Sequence, residues 1–436
     1  MHKRKRQDSP DREDSANPYV QERPHFGELA QQYPALRPFV YTDRSDRPHI
    51  DFKDPKAVRT LTWCLLKRDF DLDVKLRDDR LCPPVPNRLD YIIWIENILH
   101  ETLSSDQFQN ARGIDIGVGA SCIYPLLGCV RHKDWKFDGT EINETSVRCA
   151  RGNVDKNKLN DRITVRYNDN PERIFLLDKG ESYTFCMCNP PFYASPDELE
   201  ESLQNKQDLP FSVCTGTQNE MITDGGEYGF IERIMNESLI YKDRIQWYTS
   251  LIGLKKSVRP LVNQLKSFGI TNYVVTEFIQ GRTKRWAIAW SFGSKRVNKA
   301  KSLDEYRPKS QFVSIVPKPV SHVRQHLLTI LDELNIAYEQ DELDDDTFRG
   351  GPKANTWSRA ARRQLAKKQK IEEQETPLFG FQIELLDQER THCEITSLWV
   401  NGSNRDAFES FWNHIKKRIE EACGLERGTK SKLAKQ

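Results

Sequence analysis

The chain has 436 residues and a mass of 50.8 kDa, enough for two to three domains at about 100–200 residues each. Charged residues make up 30% and apolar residues 37%, but 9 Trp, 20 Phe and 14 Tyr exclude a wholly disordered chain. The formal net charge of +2 means that any nucleic-acid partner must be held by local basic patches, and no apolar run approaches the ~18 residues of a membrane span.

Residues 1–24 read as a disordered polar tail with a basic run from Lys3 to Arg6, a candidate nuclear address or RNA-touching arm, and no secretory signal. A helix is expected after Lys53-Asp54-Pro55, with Val58, Leu61, Trp63, Leu65 and Leu66 apolar. Pro83-Pro84-Val85-Pro86 breaks the chain, and Leu89–Leu103 follows as a helix. Strands are then expected over Arg112–Ile116, Lys136–Glu141, Ile163–Tyr167 and Tyr183–Cys188, with helices over Ile123–Val130 and Glu144–Asn157. That alternation predicts right-handed crossovers and a parallel sheet. Residues 197–226 read as a long polar loop. Phe230–Tyr241 and Ser257–Phe268 are expected as helices, Trp247–Ile252 as a strand, and Tyr273–Ile279 with Trp286–Phe292 as a closing hairpin. Residues 25–293 thus form one α/β domain of Rossmann-like class. Residues 294–310 read as a linker.

A smaller α+β domain is expected over residues 311–425, with strands Phe312–Val316, Phe379–Leu386 and His392–Trp399. Helices are expected at Ser321–Leu334 and Asp406–Cys423, with a charged insertion at 341–375 and a basic tail at 426–436. The insertion opens with five acids in six positions, Asp341–Asp346. It continues through Lys353–Lys370, which holds seven basic residues and no acid. The ten cysteines are scattered without a CxxC pair, and Cys186 and Cys188 alternate along one strand. Reduced thiols in an intracellular compartment are expected.

Ligands in a parallel sheet sit at the carboxyl ends of the strands, and the chemistry-bearing residues fall there. Asp115-Ile116-Gly117-Val118-Gly119-Ala120-Ser121 ends the first strand in a Gly-x-Gly turn and passes into a helix, letting the backbone approach a ligand closely. It lacks the third glycine of the dinucleotide fingerprint and the Lys-Ser/Thr of a P-loop. Glu141 ends the next strand 22 residues after Gly119, the spacing of a carboxylate that accepts from ribose hydroxyls. Turn and acid together point to an adenosine-type cofactor, NAD or S-adenosylmethionine. Asn189-Pro190-Pro191-Phe192 separates them. The prolines fix the backbone, the Asn189 side chain and the Pro190 carbonyl are acceptors for an exocyclic amine, and Phe192 offers a flat face to a base. That arrangement holds an amine in line with a methyl sulfonium, which favours S-adenosylmethionine.

In this order the motifs resemble class I S-adenosylmethionine-dependent amino methyltransferases. The runs Asp51-Phe52-Lys53-Asp54-Pro55, Arg112–Gly128, Phe185–Phe192 and Gln280-Gly281-Arg282-Thr283 with Arg285-Trp286 narrow the resemblance to the methyltransferase-like protein sixteen family, over about Phe26 to Phe292. The resemblance implies methylation of adenosine N6 in structured RNA, with U6 small nuclear RNA as partner and S-adenosylmethionine as cofactor. It implies that Arg88 binds the cofactor carboxylate, that Gly117 and Ser121 line its methionine side, that Glu141 binds its ribose, and that Asp115 and Gly119 also belong to the cofactor site. Asn189 and Phe192 would hold the adenine, and Lys53, Arg282 and Arg285 would contact RNA. Asn168–Arg173 departs from the family pattern, which leaves Ile174 as the expected apolar cover of the cofactor adenine. The second domain resembles a kinase-associated-one-like RNA-binding module, with Arg359, Arg362, Arg363, Lys367 and Lys368 as phosphate contacts. Together with Lys3–Arg6 it favours a nuclear enzyme. No metal is expected, because a sulfonium is already activated. The rivals are a ribosomal RNA adenine-N6 methyltransferase, a protein glutamine methyltransferase and a catalytically idle RNA-binding protein on the same scaffold.

Overall fold

The computed structural model describes residues 17–22, 24–204, 218–280, 283–306, 310–342, 344–366, 373–388, 390–402 and 404–425. These fall into two compact units, one up to Gly293 together with Ala300–Tyr306, the other Ser294–Lys299 together with the residues from Ser310 on.

The first unit opens with α1 (Pro18–Gln21), α2 (Phe26–Gln32), a 3-10 turn over Pro34–Phe39, and the ribbon β1 (Val40–Thr42) with β2 (Pro48–Ile50). Within the tail expected over residues 1–24, residues 17–22 are therefore ordered. The Asn17 side chain is 1% exposed, accepts from the Tyr19 N–H to cap α1, and donates to the Pro86 carbonyl at 3.0 Å. Next come α3 (Pro55–Phe70), capped by the Asp54 carboxylate on the Lys56 N–H, α4 (Val85–Thr102) and α5 (Ser105–Gln109). The Pro-rich break enters α4 itself: Pro84 is its N-cap, and Pro86 sits in the first turn, where no N–H is needed.

The sheet is built from β3 (Arg112–Ile116), α6 (Ile123–Arg131), β4 (Lys136–Glu141), α7 (Glu144–Lys156), β5 (Ile163–Tyr167) and β6 (Tyr183–Cys188). After these come α8 (Pro196–Gln204), α9 (Gln218–Met221), α10 (Gly226–Tyr241), β7 (Ile245–Ile252), α11 (Lys255–Ser267) and the hairpin β8 (Tyr273–Gln280) with β9 (Thr283–Trp290). The seven strands run β5-β4-β3-β6-β7-β9-β8, the first five mutually parallel and β9 antiparallel to both neighbours. The stretch read as loop 197–226 thus begins and ends in helix. Connections reverse direction between β3 and β6, which are register partners up to Ile116 opposite Cys188. Gly117 and Asn189 therefore leave neighbouring strands side by side, at the crevice where such sheets bind ligands. Below the crevice lies a core of Ile114, Ile116, Cys186, Cys188, Tyr248, Ile252, Ile288 and Trp290.

The second unit contains β10 (Gln311–Val316), α12 (Val320–Glu333), β11 (Tyr338–Gln340), β12 (Thr347–Gly350), α13 (Arg359–Ala366), β13 (Gly380–Gln388), β14 (His392–Asn401) and α14 (Arg405–Ala422). Its antiparallel sheet runs β10-β14-β13-β12-β11 over a core shared with α12 and α14. The charged insertion is more than a loop, since it supplies β12 and α13. Within the expected linker, residues 294–306 are not free either. Arg296 donates its N–H to the Val400 carbonyl in the second unit, whereas Leu303 donates to Val275 and Tyr306 is buried in the core of the first. No helix of the described residues is long and apolar enough to cross a membrane.

Candidate active site

At the end of β3 the chain turns through Gly117 (φ +70°) and Gly119 (φ +64°), a left-handed region that side chains disfavour. A methyl group added at Gly117 would meet nothing within 4 Å, so the turn borders open space. The turn does not pass straight into α6: Cys122 intervenes as a left-handed N-cap. Asn153 on α7 pins the turn from behind, donating to the Ala120 carbonyl at 3.1 Å.

Glu141 is 9% exposed, and its carboxylate closes the turn by accepting the Gly119 N–H at 3.0 Å and the Asn143 N–H at 2.9 Å. Burial raises its pKa, and those two N–H groups oppose the shift. Each oxygen retains a lone pair for a further donor. Asp115 is 1% exposed, and its Oδ2 has no hydrogen-bond partner. Burial pushes its pKa well up, the Arg88 charge pulls it down and Glu141 adds to the rise. Arg88 donates to the Tyr124 hydroxyl at 2.9 Å, while its buried Nε is unpartnered. A buried carboxylate oxygen and a guanidinium N–H left without partners, near enough for the Arg88 charge to act on Asp115, are costly unless a ligand completes them. Their opposite signs suit the carboxylate and ammonium of an amino acid.

Behind Asn189 a buried relay fixes the end of β6. The Cys188 N–H donates to the Tyr91 hydroxyl at 3.4 Å, and Thr249 Oγ1 donates to the Cys186 carbonyl at 2.8 Å. That leaves the Thr249 oxygen to accept from Tyr91 at 2.6 Å. The Tyr91 ring meets Tyr124 edge-on at 5.6 Å, so the floor under Asn189 continues to Arg88. After Asn189-Pro190-Pro191 the backbone pairs with another segment: the Phe192 and Tyr193 N–H groups both donate to the Met221 carbonyl.

Two groups from other elements lie against Phe192. The Arg285 guanidinium lies 5.7 Å from its ring centroid. The Cδ1–Cε1 edge of the ring packs against Gly253, just past β7, where an added Cβ would lie 2.5 Å from Cδ1. Glu227, 2% exposed, accepts the N–H groups of Gly253 and of Leu254, the latter at 3.2 Å. Burial raises the Glu227 pKa, whereas the Gly253 N–H, the Ser257 hydroxyl, the Leu254 N–H and the Arg285 charge pull it back. Glu227, Gly253, Tyr91 and Tyr124 were not among the expected site residues. Tertiary packing of α4, α6, α10 and the end of β7 brings them there, although the pair Gly225-Gly226 before Glu227 marks a tight approach.

Ile174 does not offer the apolar cover expected of it. It is 4% exposed and lies in the core with Ile116 and Cys188, and its N–H is fixed by Glu237 on α10 at 2.7 Å. The apolar side chain exposed beside the site is instead Ile142, directly after Glu141 and 44% exposed. Ser121 lies half-buried behind the turn. Lys53 is exposed on the turn before α3, and Arg359 and Arg363 are exposed on α13. Arg282, Lys367, Lys368 and the side chain of Arg362 lie outside the described residues. No group of three or more His, Cys, Asp or Glu among the described residues is placed to hold a metal ion.

Residues 14–294 match the protein family described as RNA methyltransferase. The chain is similar to the RNA N(6)-adenosine-methyltransferase METTL16 of Homo sapiens, 43% identical over 283 residues, covering 63% of this chain and 50% of that protein. It is also similar to the U6 small nuclear RNA (adenine-(43)-N(6))-methyltransferase of Schizosaccharomyces pombe, 35% identical over 393 residues, covering 88% and 98%. The chain spans about half the length of the vertebrate relatives it matches. Among solved structures it resembles the hMettl16 catalytic domain in complex with MAT2A 3'UTR hairpin 1, with a TM-score of 0.58 at 41% identity over 64% of this chain and 94% of that one. It also resembles the N-terminal domain of human METTL16 in complex with SAH, with a TM-score of 0.54 at 39% identity over 64% and 98%.

Proposed function

The chain belongs to the RNA methyltransferase family, and from that premise we propose that it transfers a methyl group from S-adenosylmethionine to N6 of an adenosine in structured RNA. The observation that carries the reading is the register of β3 and β6, which sets the Gly117 turn beside Asn189-Pro190-Pro191-Phe192. A cofactor held at the turn and an amine held at Asn189 then face each other across one crevice.

The residues present fit the cofactor. The unpartnered Asp115 oxygen and Arg88 Nε supply opposite charges for its amino-acid end. Gly117 leaves the space, Glu141 accepts from the ribose, and Ile142 covers the adenine. When bound, S-adenosylmethionine supplies a methyl carbon already activated by a sulfonium. The chain's own task is positioning. The Asn189 side chain and the Pro190 carbonyl accept from the exocyclic amine and fix its lone pair in line. Phe192, backed by Gly253, stacks on the base. As N6 forms its bond to the methyl carbon, the carbon–sulfur bond breaks and the amine proton passes to water. Fixing reactants this way lowers the barrier by several kcal/mol, within the ~7–11 kcal/mol that orientation can supply.

U6 small nuclear RNA is the substrate this reading favours, supported by the yeast relative that the chain covers almost end to end, and it implies action in the nucleus. Lys53 and Arg285 grip RNA around the site, and the basic face of α13 adds phosphate contacts from the second unit. Mapping N6-methyladenosine in cells with and without the protein tests this. Loss of the mark from U6 small nuclear RNA is expected, and an unchanged U6 mark with loss on ribosomal RNA would transfer the reading to the ribosomal alternative.

A further inference from the structure

Outside the crevice the first unit holds a second concave surface, an open groove of about 490 Å³ between α3 and the 3-10 turn before it. Its composition is uneven. Lys56, Arg59, Thr60 and Trp63 recur at helical spacing on one side of α3, and Phe39, Ala35, Val74 and Leu76 complete the walls. No acidic residue lines it. Neither Lys56 nor Arg59 makes an ion pair among the described residues. Asp73, next to the lining residue Val74, is already engaged by the Trp63 Nε1–H at 3.0 Å and by Lys156 at 2.9 Å. The Trp63 ring is fixed rather than loose, because its N–H is held by Asp73 and Tyr33 packs edge-on against it at 5.6 Å.

We infer that this groove binds a single-stranded nucleotide of the RNA outside the target adenosine, its base against Trp63 and Phe39 and its phosphate on Lys56 and Arg59. The inference rests on the proposed RNA methyltransferase activity and adds a subsite to it. Three features select a nucleotide. Aromatic walls stack on any base without sequence readout, and two unpaired cations beside them match a sugar-phosphate backbone. The volume lies within the range of about 300–1,000 Å³ of small-ligand pockets, enough for one nucleotide. The position is also continuous with an expected RNA contact. Lys53 stands just before the first residue of α3, and Trp63 follows Pro55 by eight helical residues, about 12 Å along the axis. That is the span of three to four stacked nucleotides at about 3.4 Å each. A strand passing Lys53 would therefore run onto the groove.

The experiment measures equilibrium binding of the full chain to two RNAs, a U6 small nuclear RNA hairpin that ends at its stem and the same hairpin with a four-nucleotide single-stranded extension. A parallel arm measures methyl transfer to both at saturation. The extension is expected to tighten binding roughly tenfold, the lower part of what one stacked base and its phosphate provide. In a Lys56→Glu, Arg59→Glu variant, both changes lying at the groove rim, the gain should vanish and the salt slope should flatten by about 1–1.5 for two lost phosphate contacts. Affinity for the hairpin without extension and saturated methyl transfer should not change. With 2-aminopurine at each extension position in turn, one position should be quenched by the unaltered chain and not by Trp63→Leu. An extension that adds no affinity, or a gain that survives both variants, would overturn the groove assignment even if methylation proceeds normally. Absence of methyl transfer by the unaltered chain would instead count against the activity, and the binding arm would still report on the groove.

Discussion

Gly253 and Phe192 are packed so closely that a single methyl group cannot fit between them: a Cβ at Gly253 would lie 2.5 Å from Cδ1 and 2.6 Å from Cε1 of the ring. The residue that would stack on the target base is thus supported by a strand end 61 positions further along the chain. Gly253→Ala should push the ring off its shelf. Displacements of about 1 Å at a reacting group cost on the order of a hundredfold in rate. Steady-state methylation assays should show kcat falling ten- to hundredfold, with cofactor affinity by calorimetry unchanged.

In the proposed reading, Asn189→Ala removes the acceptor that orients the amine while leaving the backbone relay through Tyr91 and Thr249 in place. Methyl transfer should fall to background in a protein that still binds RNA and still melts at the temperature of the unaltered chain. Phe192→Gly should also bind the target adenosine more weakly, by about 1–3 kcal/mol for one lost stacking contact. Near-normal turnover in the Asn189 variant would remove this residue from the chemistry.

Glu141 has two tasks, and they separate experimentally. Its carboxylate accepts the Gly119 and Asn143 N–H groups in the protein itself, and in the proposed reading it also accepts from the cofactor ribose. Glu141→Ala should weaken S-adenosylmethionine binding by about 1.5–3 kcal/mol, the value of hydrogen bonds to a charged group. Glu141→Gln keeps one carbonyl acceptor and should fall between the two. Calorimetric affinity equal to that of the unaltered chain, in a folded Glu141→Ala protein, would exclude the ribose contact.

Acid stability should depend on Glu181. Burial alone would raise its pKa, but the Asp178 N–H, a hydrogen bond from Arg112 and the Arg166 charge hold it down at about 2. A carboxylate with a depressed folded pKa contributes stability above its ordinary value and loses it as pH falls from about 4.5 to about 2. Glu181→Gln should therefore cost about 1–3 kcal/mol in denaturation at pH 7. The gap should close as the pH is lowered through that window, and a gap independent of pH would contradict the assignment.

The division of 294–306 between the units fixes where the chain can be cut. Leu303 donates to Val275, Trp94 donates to the Lys301 carbonyl at 3.0 Å, and Tyr306 is buried. A chain ending after Tyr306 should stay folded and methylate saturating RNA, but bind RNA more weakly with a flatter salt dependence, because the phosphate contacts proposed for the second unit would be gone. A chain ending at Gly293 should melt lower. Equal salt slopes for the full and shortened chains would assign the second unit another role.

Much of this arrangement was legible in the sequence because the chemistry sits at strand ends, where motif and periodicity coincide. Gly117 and Asn189 directly follow β3 and β6 and Glu141 ends β4, and the alternation of strands with helices places those ends on one edge. What stayed hidden depends on strand order rather than on local pattern. Gly253 carries no motif and meets Phe192 only because β7 packs beside β6, and Glu227 joins it from α10 by accepting its N–H. Ile174 follows a polar loop and looked available, yet the Glu237 carboxylate draws its backbone onto α10 and buries it. The short strands β11 and β12 flank the acidic run, and three or four residues give too little alternation to stand out against it.

The most direct measurement is a reaction of the full chain with methyl-labelled S-adenosylmethionine and a U6 small nuclear RNA fragment, followed by digestion to nucleosides and mass spectrometry. The label should appear in N6-methyladenosine alone and disappear with Asn189→Ala. Label on another nucleoside, label on protein, or no label from a chain that demonstrably binds both cofactor and RNA would contradict adenosine-N6 transfer at this crevice.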